Sequence, residues 1–195
     1  MNELRERFLG IIEEHVKREG KDELIKWLDG SDFFQAPAST RFHGSYDGGL
    51  VEHSLNVYDA LKDMVSRESP GEFSDETVAI VALLHDLCKV NFYKRGTRNV
   101  KQDGKWIAVE TWEVEEKAPL GDHADKSIII IQQFIKLTVD EIMAIRAHMG
   151  AWDNANQGGS RVISNIFDRS KLAVMLHMAD MTATYLIEGK RELNG

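Results

Sequence analysis

A histidine and an aspartate stand side by side in Val78-Ala79-Ile80-Val81-Ala82-Leu83-Leu84-His85-Asp86-Leu87, a stretch that is otherwise apolar. The run predicts a buried helix carrying Val78 to Cys88, where an ionised carboxylate is costly unless a cation compensates it. A divalent metal ion offers that compensation. Imidazole and carboxylate together suit Mn, Fe, Co, Ni or Zn, with Mg also open as the ion, and one carboxylate can bridge two ions. Structural ion pairs also occupy such positions, so His85-Asp86 needs further partners before it defines a site.

The other histidines are at 15, 43, 53, 123, 148 and 177. His15, flanked by Glu13 and Glu14, reads as an ordinary residue of a charged helix. The elements that would position the rest follow from periodicity. Phe8, Ile11, Ile12 and Val16 recur at three- and four-residue steps and predict an amphipathic first helix. A short helix from Asp22 to Leu28 ends at Gly30, and residues 31–47 read as a loop. Leu50, Val57, Leu61 and Met64 mark one face of a helix from Gly49 to Ser66, and His53 lies on that face. Ser74 is the expected N-cap of the His85 helix, with Asp75 and Glu76 in its first turn.

Residues 91–116 are rich in Tyr, Trp, Val and Thr and contain Asp103-Gly104, so a small β-hairpin insertion is expected there. Helical periodicity returns from Asp122 to Lys136. Thr138 and Glu141 form a capping-box pattern opening a helix through His148. Residues 151–159 read as a loop, and a last helix is expected from Asp168 to Glu188. His123 opens one helix and His148 closes the next, so the two can converge. The expected fold is mainly α, one unit over 1–195, with 1–30 as an N-terminal helical extension.

With His53 in Gly48-Gly49-Leu50-Val51-Glu52-His53, then His85-Asp86, then Asp180 in His177-Met178-Ala179-Asp180, the chain resembles the HD-domain metal-dependent phosphohydrolase superfamily. The Gly-Gly-Leu-x-Glu-His run is similar to HD domains associated with exoribonucleases. The resemblance covers residues 42–188 and implies a helical HD bundle. It also implies a metal-ligand set of His53, His85, Asp86 and Asp180. Dinuclear members place two further histidines between the pair and the last aspartate, which here are His123 and His148. Asp86 would then bridge two divalent ions that activate a water. Asp122, beside His123, leaves a register ambiguity. His177 reads equally as a support for the ligands or as core filler.

On the substrate side, the resemblance gives Lys89, in His-Asp-x-x-Lys, a contact to the substrate phosphate, and with Asp86 it forms the expected catalytic pair. Arg41 and His43, before the first ligand helix, and Arg146, before His148, are further candidate substrate contacts. Lys94, Arg95, Arg98, Lys101 and Lys105 form a basic run in the hairpin; Arg95 is the substrate candidate, while the run as a whole reads more readily as a solvated face. Trp152 and Asn156 could meet a base or close the core.

Composition bounds the partners. The net charge of −8 and pI near 5.4 disfavour non-specific nucleic-acid binding, which leaves nucleic acid an open but less favoured partner. The single cysteine, Cys88, permits neither an internal disulfide nor a thiolate zinc cluster. The longest purely apolar run is Ile128 to Ile131, so a cytoplasmic protein without membrane partners is expected, with a homo-oligomer open. The leading reading is a phosphohydrolase acting on a nucleotide or other small phosphoester, as a phosphomonoesterase or phosphodiesterase. A di-iron HD-type oxygenase and a non-catalytic nucleotide-binding or sensor domain stay open beside it.

Overall fold

The computed structural model describes residues 2–102 and 104–188. Nine α-helices and one antiparallel hairpin are present among them. Helices α1 (Asn2–His15) and α2 (Lys21–Asp29) precede a loop. Then come α3 (Gly49–Glu68) and α4 (Asp75–Leu84). Strands β1 (Tyr93–Gln102) and β2 (Lys105–Val114) follow. The chain ends with α5 (His123–Ile131), α6 (Val139–Ala147), α7 (Asn154–Gln157), α8 (Val162–Phe167) and α9 (Lys171–Thr182). No helix among the described residues is long and apolar enough to cross a membrane.

The core lies where α3 packs on α4 and α9, and α6 on α9, while α1 closes the far side against α3 and α4. Helix α4 is buried all round: Val78 through Leu84 are at most 3% exposed. A helix apolar on every face belongs in the middle of a bundle. Its neighbours are amphipathic by comparison. Phe8 and Ile12 of α1 and Leu50, Val57 and Leu61 of α3 turn inward.

Several expected boundaries move, each for a local reason. The helix expected to carry His85-Asp86 through Cys88 stops at Leu84, with His85 as its C-cap. The Cys88 N–H, which a continuing helix would aim at Leu84, donates instead to Ser127 Oγ at 3.0 Å. Asp86 has left the helical region (φ −106°, ψ 20°), and Leu87–Lys89 form a single 3₁₀ turn. The pair therefore sits at a helix end.

Helix α5 is shorter than expected and tightens into a turn at Gln132–Phe134. The expected loop at 151–159 contains α7, whose N-cap Asp153 accepts from Asn156 N–H. The expected last helix is two, α8 and α9, with Ser170 capping the second through Ala173 N–H. A π-helical turn, Ala183–Ile187, extends α9. The capping box at Thr138 and Glu141 forms as expected.

The hairpin pairs Tyr93 with Val114 through Gln102 with Lys105. Gly104 (φ +80°) supplies the left-handed turn residue, while Asp103, the other half of the expected turn, lies outside the described residues. Met1 and residues 189–195 of the expected single unit also lie outside them.

Candidate metal centre

Four helix ends and one helix face deliver side chains to one place. His53 projects from the second turn of α3, His85 caps α4, and Asp86 follows it. His123 is the first residue of α5, His148 caps α6, and Asp180 lies in the last turn of α9. Gly49, the first residue of α3, has a steric purpose. A Cβ on Gly49 would lie 1.9 Å from the Gly44 carbonyl oxygen, so only glycine lets the 44–49 loop fold onto the start of α3. That fold sets the His43 ring 4.9 Å from the His53 ring.

Asp86 is 3% exposed, and its two oxygens face different histidines. Oδ1 lies 2.6 Å from His123 Nε2 and 3.7 Å from His148 Nε2. Oδ2 lies 3.5 Å from His85 Nε2 and 3.7 Å from His53 Nε2. His53 Nε2 is also 3.3 Å from Asp180 Oδ1. Lys89 Nζ donates to Oδ2 at 2.6 Å. Burial alone would push the Asp86 carboxyl up, but the Lys89 ammonium and the surrounding imidazoles hold it well below the usual carboxylate range.

The ring orientations are fixed from behind. His85 Nδ1 donates to the Ala82 carbonyl at 2.8 Å and His148 Nδ1 to the Ile145 carbonyl at 2.6 Å. In the neutral tautomer that this bond selects, Nε2 carries the lone pair, and in both rings Nε2 is buried without a hydrogen-bond partner. Two buried lone pairs facing one carboxylate are what a cation-binding site requires and what an ordinary core avoids. Ligand atoms of His53, His85 and Asp180, of His85, Asp86 and His148, and of Asp86, Cys88 and His123 each lie within 4.8 Å of one another. The donor set therefore fits divalent ions.

His53 is held on its other side by Glu188, whose Oε1 accepts from Nδ1 at 2.9 Å. Burial would lower the His53 pKa, but Asp180 and Glu188 outweigh it and hold the ring up at about 9. The same pairing keeps Asp180 well below its usual range, against the upward push of burial. Glu188 was legible only as the end of the last helix; the π-helical turn Ala183–Ile187 that precedes it leaves no mark in the sequence. His177 supports the site from behind, Nδ1 donating to the His148 carbonyl at 2.6 Å. Gly150 makes room for that ring, since a Cβ there would meet it at 2.4 Å.

His123, not Asp122, reaches Asp86; Asp122 caps α5 and accepts from Asn154 Nδ2 at 3.1 Å. Cys88 Sγ lies 3.3 Å from His123 Nδ1, and burial pushes its thiol up to about 12. His43 is pushed down to about 4 by burial and by the nearby His53 and Lys89 charges. Arg146 does not join the cluster: its contacts are Asp153 and, at 3.0 Å, Asp125. Arg41 and Arg95 line a neighbouring cleft rather than the cluster. Trp152, half exposed, stacks on Tyr185.

The fold and this cluster define an HD-domain protein. The HD domain family model matches residues 50–184, more than half of the chain, and the chain belongs to that family. It is also similar to the dihydroneopterin 2′,3′-cyclic phosphate phosphodiesterase of Methanocaldococcus jannaschii, with 31% identity over 114 residues. The match covers 51% of this chain and 44% of that protein, so the chain spans less than half of the relative's length. No solved structure matches the chain.

Proposed function

We propose that the protein is a metal-dependent phosphohydrolase that cleaves a small phosphoester, either a nucleotide or a compact phosphodiester. The observation that carries this reading is the division of the Asp86 carboxylate, with His53 and His85 toward Oδ2 and His123 and His148 toward Oδ1. On this reading His53, His85, Asp86 and Asp180 hold one ion, and Asp86, His123 and His148 a second. Bound divalent ions would supply a water made nucleophilic at neutral pH and positive charge for the phosphoryl oxygens.

The chain's own groups prepare that chemistry. The Ala82 and Ile145 carbonyls select the tautomer of the neutral His85 and His148 rings in which Nε2 carries the lone pair, and Glu188 and Asp180 orient His53. Lys89, whose buried ammonium sits 2.6 Å from Asp86, meets the substrate phosphate once Asp86 is engaged by metal. The activity of the archaeal relative, which by its name acts on a cyclic phosphodiester, supports hydrolysis of such a bond. Residues 42–188 carry the site, and α1 of the N-terminal extension packs on α3 and α4.

Elemental analysis of protein purified without chelators, paired with a panel of nucleotides and cyclic phosphodiesters under Mn²⁺, Ni²⁺ and Fe²⁺, tests the proposal. The expected result is about two ions per chain and metal-dependent release of a phosphomonoester or phosphate. Protein that retains no metal and cleaves nothing on the panel refutes it. Oxygen consumption without hydrolysis would make it an oxygenase instead.

A further inference from the structure

Beside the cluster, between residues 40–46 and the hairpin, lies a cleft of about 270 Å³. Arg41, Arg95, Arg98, Trp112 and Glu188 line it. Glu188 joins it to the candidate metal centre, because Oε1 of the same carboxylate accepts from His53. Its other oxygen, Oε2, is buried and has no hydrogen-bond partner, on a side chain only 4% exposed. Arg98 Nε and Trp112 Nε1 are likewise buried without partners. One acceptor and two donors are thus unsatisfied on residues that line a single cleft, each at a desolvation cost.

The cleft also has a flat platform. The Arg95 guanidinium lies 4.0 Å from the Trp112 ring centroid and is steered by Asp47 at 2.5 Å, yet its side chain is 54% exposed. A planar guanidinium backed by an indole is a stacking surface for an aromatic ring.

We infer that this cleft seats an aromatic heterocycle carried by the substrate, stacked on the exposed Arg95 guanidinium that Trp112 backs, with its polar edge toward Glu188 and Arg98. The inference rests on the phosphoester reading and narrows it to nucleotide-like substrates. An acyl chain would answer none of the polar and charged side chains that line the cleft, and a bare sugar phosphate would leave the platform unused. The volume suits one ring system and not an extended strand.

A binding measurement that needs no turnover separates this inference from the reading it rests on. The protein as purified is titrated with two phosphonate isosteres that resist cleavage, one of adenosine 5′-monophosphate and one of ribose 5-phosphate, in which a hydroxyl replaces the base at C1. The base should tighten binding about tenfold, as one stacked ring does. Trp112→Ala should erase that gap, Trp112→Phe should retain most of it, and Arg95→Ala provides a second test should Trp112→Ala fail to fold. Equal affinity for both ligands in the wild type, or a gap that survives in every folded Ala variant, overturns the inference. A base-dependent gap in a protein that hydrolyses nothing would sustain the cleft while removing the hydrolase.

Discussion

Asp86 and Glu141 are both buried carboxylates, 3% and 0% exposed, and they are surrounded in opposite ways. Glu141 is saturated. Its oxygens take two bonds of 2.6 Å from Arg18, one of 3.0 Å from Thr77 and one of 2.8 Å from the Thr138 N–H. Those bonds tie the segment after α1, the start of α4 and the start of α6 together. Asp86 has Lys89 and His123 within hydrogen-bond reach, but three further imidazole nitrogens stand 3.5–3.7 Å away and point at it. A carboxylate with every lone pair answered is a structural joint. One faced by the unpartnered nitrogens of His85 and His148 is arranged for something the protein chain does not itself provide.

The largest expected difference between the two is functional. Asp86→Asn should lower kcat/KM on any cleaved phosphoester by at least about a thousandfold and strip the metal, because an amide replaces the shared anion. Glu141→Gln should leave metal content and kcat/KM within about twofold of wild type, since surface-to-core joints far from the chemistry act through stability alone. Phosphoester hydrolysis and metal content measured on the two proteins check this. An active, metal-loaded Asp86→Asn would break the comparison.

The order reverses for folding. Breaking a fully buried ion pair costs about 3–5 kcal/mol, and Arg18, with 17% of its side chain exposed, brings the expected cost of Glu141→Gln to about 2–3 kcal/mol. Urea unfolding of chelator-treated protein should show that loss at unchanged m-value. A loss under about 0.5 kcal/mol would mean that the network is no joint.

The same contrast explains what could be read from the sequence. The Glu141 capping box was legible because Thr138 and Glu141 are three residues apart and the bonding is local. Arg18, the other half of that network, comes from 123 residues away and carries no local signal. The histidine cluster was legible through residue types and order, and His53, His85, Asp86, His123, His148 and Asp180 are brought together. Its supports were not: the Ala82 and Ile145 carbonyls are backbone groups, and Glu188 is aimed by a π-helical turn that breaks the periodicity. The helix through Asp86 was misjudged because an apolar run carries no mark of its end. The end is set by Ser127, on α5, which takes the Cys88 N–H away from the helix.

The smallest expected effect concerns acid, and it tests whether Glu141 works through its charge. Burial pushes its pKa up, but Arg18, the Thr138 N–H and Thr77 outweigh burial, so the folded value lies below the ordinary one. A depressed carboxylate pKa contributes stability above the unfolded value, near about 4.3, and that contribution is lost as pH falls through the folded value. The gap between wild type and Glu141→Gln should therefore be constant from about pH 7 to 5 and shrink below about 4.3. It should do so whether or not metal is bound, because no metal-ligating group touches Glu141. The corresponding gap for Asp86→Asn should change when metal is added at pH 7, since ions that bind only the folded chain stabilise it by mass action. Urea titrations of the three proteins at pH 7 and pH 4, with and without Mn²⁺, separate the two carboxylates. A Glu141→Gln gap that ignores pH would show hydrogen-bond geometry, not charge, to be what holds that joint.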